Sequence, residues 1–141
     1  IDQNHFTHLC CSVGTGTTLA GLIRSARPGM QVLGFTSLQK EEKILEGNIH
    51  SMIRGKENVW KLISDYHFGG FGKFPPALIN FINDFYNQHH VPLDIVYTGK
   101  MMFGIFDLIQ KDFFPPGSCI LAVHTGGLQG NKSLPEGTLH F

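Results

Sequence analysis

A short stretch rich in glycine and threonine is the first part of this sequence that could do chemistry. It follows the apolar residues 6–13 and leads directly into a segment with helical spacing. Glycine lets the backbone approach a ligand closely, and the unpaired amides and dipole of a helix start favour an anion. We therefore predict an anion site, against the alternative of a tight turn without a ligand, at Gly14, Thr15, Gly16, Thr17 and Thr18.

Two common nucleotide-binding templates do not fit this stretch. A Walker loop requires Gly-Lys-Ser/Thr after four spacer residues, where this chain has Leu19 and Ala20. A dinucleotide fingerprint requires a third glycine at the position of Leu19. The formal net charge is zero and no basic run occurs, which argues against nucleic acid or an anionic membrane surface as a partner. No apolar run approaches the roughly 20 residues needed to span a bilayer.

The elements that must position this stretch alternate between strand and helix patterns. That alternation predicts an α/β fold, in which an open, mostly parallel sheet is flanked by helices within a single domain of residues 1–141. The predicted strands are 6–13, 31–35, 60–68 and 118–123, with a short extended segment at 91–96, and the predicted helices are 17–26, 38–53, 76–90 and 101–111. The tail, 131–141, shows no periodicity and is predicted to pack as an extended arm.

A second turn of the same character follows the last predicted strand. It contains His124, Thr125, Gly126 and Gly127. In an open parallel sheet, ligands bind beyond the carboxyl ends of the strands, which lie at one edge. Two turns rich in threonine and glycine at that edge make a ligand site more credible than either turn does by itself.

Histidine and cysteine residues offer weaker signals. The pair His89 and His90 ends a predicted helix, where imidazole can cap free carbonyls, and two histidines without further ligands do not make a metal site. Of the three cysteines, Cys10 and Cys11 lie in the first apolar run and Cys119 in the last. They make a poor disulfide framework, and we interpret them as buried free thiols in a reducing cytoplasm.

Four motifs in a fixed order resemble a known family. The Gly/Thr stretch is similar to the phosphate loop of pyridoxal 5′-phosphate (PLP) enzymes of the tryptophan-synthase-β type, with Thr17 in place of a glycine. The other three motifs are Tyr66-His67-Phe68-Gly69-Gly70-Phe71-Gly72-Lys73, Tyr97-Thr98-Gly99-Lys100 and His124-Thr125-Gly126-Gly127. The whole set resembles the carboxyl-terminal half of the 1-aminocyclopropane-1-carboxylate deaminase and D-cysteine desulfhydrase family.

This resemblance implies a cofactor and roles for particular residues. The family binds PLP between two α/β domains, so residues 14–18 would hold its phosphate. Tyr97 would lie near the small amino-acid substrate as a catalytic residue, and Thr125 with Gly126 would lie beside the pyridine ring. The glycine-rich segment 66–73 would cross the ligand cleft.

Thr98 departs from the pattern of the true deaminases. In those enzymes a glutamate follows the cleft tyrosine and keeps the pyridine nitrogen protonated, so Thr98 is predicted to face the cofactor in its place. A neutral hydroxyl stabilises a pyridinium less than a carboxylate does. We therefore favour β-elimination from a substrate resembling D-cysteine, with 1-aminocyclopropane-1-carboxylate deamination as the alternative.

The lysine that binds PLP covalently is a second departure. The family places it well before the phosphate loop, whereas residues 1–13 contain no lysine. Lys73 and Lys100 belong to motifs but do not match that position, and a structural role is predicted for Lys100. We interpret the chain as a fragment of a cytoplasmic enzyme that lacks its amino-terminal domain, and we expect it to be inactive by itself. The sequence leaves open whether the protein forms a homodimer. It also leaves two alternative functions open: a non-catalytic domain that binds a phosphorylated ligand, and a plain interaction domain.

Overall fold

Four parallel strands form one sheet within residues 5–38, 41–55 and 59–141, the parts of the chain that the computed structural model describes. The strand order is β3-β2-β1-β4, which confirms the predicted open parallel α/β fold. The strands are β1 (His8–Val13), β2 (Gln31–Thr36), β3 (Trp60–Ile63) and β4 (Ile120–Val123). The helices are α1 (Thr17–Ser25), α2 (Glu42–Ile53), α3 (Pro76–His89) and α4 (Thr98–Gln110), and a 3-10 helix spans Leu128–Ser133.

The central strand β1 explains the nearly continuous apolar run at the start of the chain. All six of its residues are buried. Leu9, Cys11 and Val13 pack into one core cluster and Cys10 packs into another, because successive side chains of a strand point to opposite faces. Both faces of the sheet are therefore covered, as is usual for parallel sheets.

The helices divide between the two faces. Residues of α1 and α2 form the cluster on one face, and α4 supplies Met101 and Ile105 to the cluster on the other face. Helix α3 packs against α4. Its Leu78 and Ile82 belong to a third cluster, against which Leu134 and Leu139 of the tail pack. Within the described ranges, every helix is too short or too polar to cross a bilayer.

Several predicted boundaries differ from those of the structure. Strand β3 ends at Ile63 rather than at residue 68, because the glycine-rich segment that follows forms turns. Segment 91–96 forms no strand, and α4 begins at Thr98 instead of residue 101. The tail is not simply extended, since residues 131–133 belong to the 3-10 helix. Helix α2 begins at Glu42, and residues 39–40 of its predicted start lie outside the described residues.

The cysteines and the histidine pair differ in part from expectation. Cys10 and Cys11 are buried free thiols, and burial raises the pKa of each to about 12. Cys119 is exposed, so its predicted burial is wrong. His90 ends α3 in a left-handed conformation, and its backbone N–H, not its imidazole, donates to Tyr86 O. The His89 ring packs against Phe85, with centroids 4.6 Å apart.

Candidate functional site

A cleft of about 340 Å³ lies at the carboxyl edge of the sheet, where β1 and β4 end. Its walls come from the turn after β1, the first turn of α1, Tyr97 and the turn after β4. Eight of the nine residues predicted for the site line this cleft, and Thr98 is the exception. The eight are Gly14, Thr15, Gly16, Thr17, Thr18, Tyr97, Thr125 and Gly126.

The start of α1 is open to a ligand. No side chain caps it, and its first turn contains no acidic residue. The first amides of a helix have no intrahelical partners, so those of Thr17 and Thr18 can bind an anion. The side chains of Thr15, Thr17 and Thr18 are exposed, and the hydroxyls of Thr15 and Thr17 lie 3.2 Å apart. Amides and hydroxyls thus form a neutral set of donors, the anion cradle.

Gly16 gives this cradle its shape. Its φ is 90°, in the left-handed region that glycine adopts readily. A Cβ atom at this position would lie 2.7 Å from Cγ1 of Ile49, so a side chain would also push against α2. Gly14 is less constrained, because a Cβ atom there would lie 3.5 Å from the hydroxyl of Tyr97, an ordinary contact.

The start of α4, by contrast, is already occupied by a carboxylate of the chain itself. Asp94 is fully buried, and its Oδ1 accepts from the backbone N–H groups of Val96 and Tyr97, both at 2.7 Å. Its Oδ2 accepts from the N–H and the hydroxyl of Thr98, at 2.8 and 2.7 Å. Because Asp94 takes these donors, they are not available to an external anion at the N-terminus of α4.

Thr98, predicted to face the cofactor ring, does not line the cleft. Thr98 is fully buried, its hydroxyl donates to Asp94 Oδ2, and the same hydroxyl accepts from the N–H of Asp94 at 2.9 Å. Both hydrogen-bonding functions of the hydroxyl are thus used within one turn. Thr98 does not face the cleft. It stabilises the turn from which Tyr97 faces the cleft.

Tyr97 stands between two concave surfaces. Its ring meets that of Phe71 edge to face, with centroids 5.5 Å apart. Together with Val13, Gly14 and Thr15, it lines both the first cleft and a second cleft of about 390 Å³. A side chain at this position can contact ligands on both sides.

The turn after β4 completes the first cleft with uncharged groups. The hydroxyl of Thr125 lies 3.5 Å from that of Ser12, at the end of β1. His124 fastens the turn, since its Nε2 donates to Pro92 O at 2.8 Å and its Nδ1 accepts from the N–H of Gly126 at 3.1 Å. None of the described residues that line the first cleft is charged.

Lys100 holds the glycine-rich segment 66–73 in place. Lys100 is only 3% exposed, and its Nζ donates to the carbonyls of His67, Gly70 and Phe71 at 2.7–3.0 Å. Burial lowers the pKa of Lys100 to about 8, and the charge of Asp94 acts in the opposite direction. The hydroxyl of Tyr66 also donates to Asp107 of α4 at 2.6 Å. Two anchors on α4 therefore position Phe71 against Tyr97.

Replacing Lys100 tests this anchoring. Lys100→Met leaves three carbonyls of segment 66–73 without their donor. It also removes a buried charge, so the loss of stability should be concentrated in this segment. We expect amide hydrogen exchange in residues 66–73 to accelerate about tenfold or more, because local opening becomes easier. Lys132→Met is the matched control, since Lys132 is exposed on the 3-10 helix Leu128–Ser133 and takes no part in either anchor. Unchanged exchange in the loop of Lys100→Met would show that Lys100 does not anchor it.

Asp94 is the main residue of the site that sequence reasoning missed. An aspartate shortly before a helix is a known signal for a helix start, and it could have drawn attention to this position. The motif Tyr97-Thr98-Gly99-Lys100 directed attention to Thr98 instead. Ser12 and Gln129 also line the cleft without having been predicted.

Comparisons with known proteins identify relatives of this chain. No protein-family model matches the chain. A Pyrococcus furiosus protein, provisionally named a 1-aminocyclopropane-1-carboxylate deaminase, is 32% identical over 97% of this chain and 44% of its own length. A D-cysteine desulfhydrase of Salmonella typhi is 30% identical over 82% of this chain and 38% of its own length. A solved structure described as an ACC deaminase homologue matches 92% of this chain and 42% of its own, with a TM-score of 0.75 and 28% identity. The chain therefore spans less than half the length of these relatives.

Proposed function

Because this chain belongs to the 1-aminocyclopropane-1-carboxylate deaminase and D-cysteine desulfhydrase family, we propose that its first cleft binds PLP. We further propose that the chain is part of an enzyme that removes a β-leaving group from a small amino acid and releases a keto acid and ammonia. The single observation that carries this proposal is the uncapped start of α1, lined by exposed threonine hydroxyls.

The anion cradle suits a phosphate monoester. Residues 14–18 offer backbone amides, hydroxyls and the positive end of a helix dipole, all of which favour a phosphate. The contrast with α4 supports the choice of helix, since Asp94 already occupies that second helix start. Thr125, which follows β4 and lines the same cleft, would then offer its hydroxyl to the ring nitrogen while the cradle holds the phosphate.

The cofactor would supply the electron-withdrawing ring, and the chain would orient it and the substrate. Tyr97 is half-buried beside the cradle, where its hydroxyl can hydrogen-bond the substrate or the leaving group. The segment held by Lys100 would shield this face from water. In these roles the residues of this chain only bind and orient the cofactor and the substrate.

We base the preference for elimination from a substrate like D-cysteine on the residues that line the first cleft and not on Thr98. The hydroxyl of Thr98 donates to Asp94 Oδ2, so this donor is not available to a ring nitrogen. The described lining of the first cleft contains no carboxylate, so the group that this chain would offer a ring nitrogen is a neutral hydroxyl such as that of Thr125. A neutral partner keeps the ring a weaker electron sink, which suits simple β-elimination better than cyclopropane opening.

A second candidate function is non-catalytic binding of a phosphorylated ligand. None of the described lysines lines either cleft, and Lys100 is committed to three carbonyls. The proposed chemistry therefore needs residues from the remainder of a longer protein, whereas simple binding would not.

Ligand binding tests the anion cradle directly. We expect pyridoxamine 5′-phosphate, followed by its fluorescence, to bind the protein, and inorganic phosphate to compete with it. Thr18→Val keeps the shape of the side chain but removes a donor, so it should weaken binding about tenfold, as expected for a hydrogen bond to a charged group.

The matched control is Thr138→Val, because Thr138 bonds within a turn of the tail and lies outside the cleft. Equal weakening by both variants, or an absence of phosphate competition in the folded wild type, would contradict the proposed cradle.

A further inference from the structure

The second cleft lies on the opposite side of the turn after β1 from Thr125. The strand order puts β4 on one side of β1 and β2 on the other. Thr125 follows β4, whereas Ser37 directly follows β2 and lines the second cleft. The backbone of Gly14 and Thr15, together with Tyr97, forms the boundary that both clefts share.

The walls of this second cleft are those of a binding site for an apolar group. Ile44 is 66% exposed and Phe71 is 50% exposed, which is unusual for large apolar side chains that line a concave surface. Exposed apolar groups that converge in a concavity commonly mark a ligand site. Leu38 and Leu45 extend the same wall.

Among the described residues, the polar groups that line the second cleft are few and include no cation. Glu41 and Asn48 line it from α2 and its start. The hydroxyl of Ser37 is buried and has no hydrogen-bond partner within the described part of the chain. A buried unpaired hydroxyl is costly, so a partner supplied by a ligand is a natural explanation.

We propose that the second cleft receives the side chain of the amino-acid substrate and selects an uncharged side chain over an acidic one. This inference rests on the proposed function. In PLP the carbon that joins the amino acid is opposite the ring nitrogen, so a nitrogen at Thr125 directs the amino acid away from β4. Apolar walls then favour an uncharged side chain, and the carboxylate of Glu41 repels an acidic one.

Stable PLP–amino acid compounds can test this selection without any reaction. The probes are phosphopyridoxyl-leucine and phosphopyridoxyl-glutamate, in which the link to the amino acid is a reduced secondary amine, and pyridoxamine 5′-phosphate is the reference. Fluorescence titration should show the leucine compound binding about tenfold tighter than the glutamate compound, given the apolar area it can bury.

Two variants locate the source of this preference. Ile44→Ala should weaken the binding of the leucine compound about fivefold but leave the binding of pyridoxamine 5′-phosphate unchanged, because only the leucine side chain reaches Ile44. Glu41→Gln should tighten the binding of the glutamate compound and so reduce the preference for the leucine compound. Ile109→Ala is the matched control, since Ile109 is 48% exposed and lines neither cleft.

The outcomes separate this inference from the proposed function. If pyridoxamine 5′-phosphate binds but the two compounds bind equally, or if Ile44→Ala has no effect, the proposal that the second cleft receives the side chain is overturned. The proposed cofactor site is then unaffected. If pyridoxamine 5′-phosphate itself does not bind the folded protein, the proposed function fails and this inference fails with it.

Discussion

Asp94→Ala is expected to lower the free energy of unfolding by about 3 kcal/mol, since each buried group left unpaired costs about 1–3 kcal/mol and water can replace part of the loss. Three backbone N–H groups and the hydroxyl of Thr98 would lose their acceptor. Small domains are stable by only about 5–15 kcal/mol, so this is a large fraction of the total. Urea denaturation followed by circular dichroism measures it.

Conservative variants separate the contributions of charge and geometry. Asp94→Asn keeps one acceptor oxygen but turns an amide N–H₂ towards backbone donors, so an intermediate loss is expected. Thr98→Val removes only the hydroxyl, which makes two hydrogen bonds with Asp94, and should cost about 2 kcal/mol at about 1 kcal/mol for each bond. Asp84→Ala, on the exposed side of α3, is the control. A loss from Asp94→Ala no larger than that from Asp84→Ala would rule out the capping role.

The buried strands could be predicted because burial dominates their sequence. The run that ends at Val13 is apolar on both faces, which only a covered sheet accommodates. The same reasoning failed after Ile63, where alternating apolar residues continue into Tyr66 and Phe68. There the glycines allow turns, and Lys100 stabilises those turns through contacts that are distant in sequence. No local pattern could have revealed this.

Eight of the nine residues predicted for the site line one cleft, because both turns follow strands whose ends share one edge. The position of Thr98 could not be predicted, because it depends on which residue caps α4. The motif puts Thr98 next to Tyr97 in sequence, but neighbours at a helix start point in different directions. Asp94 draws Thr98 into the core and leaves Tyr97 facing the cleft. The direction of a side chain at such a turn is a property of the hydrogen bonds around it.

The largest expected effect on chemistry is the failure of this chain to bind PLP covalently at one defined lysine. Covalent catalysis by PLP requires a lysine amine held at the carbonyl carbon of the cofactor. Lys100 is buried and bonded to three carbonyls, and the other described lysines lie outside both clefts. Lys40 and Lys56 lie outside the described residues.

The experiment is to incubate the 141-residue chain with PLP, reduce with borohydride and map the modified lysines by mass spectrometry. We expect low labelling spread over exposed lysines, and no keto acid from cysteine of either hand. A full-length D-cysteine desulfhydrase treated in parallel should be labelled at one lysine and should form pyruvate. Stoichiometric labelling of one lysine in this chain, together with keto-acid production, would mean that it carries its own catalytic lysine. Reversible PLP binding without such labelling would leave the anion cradle as its contribution to a larger active site.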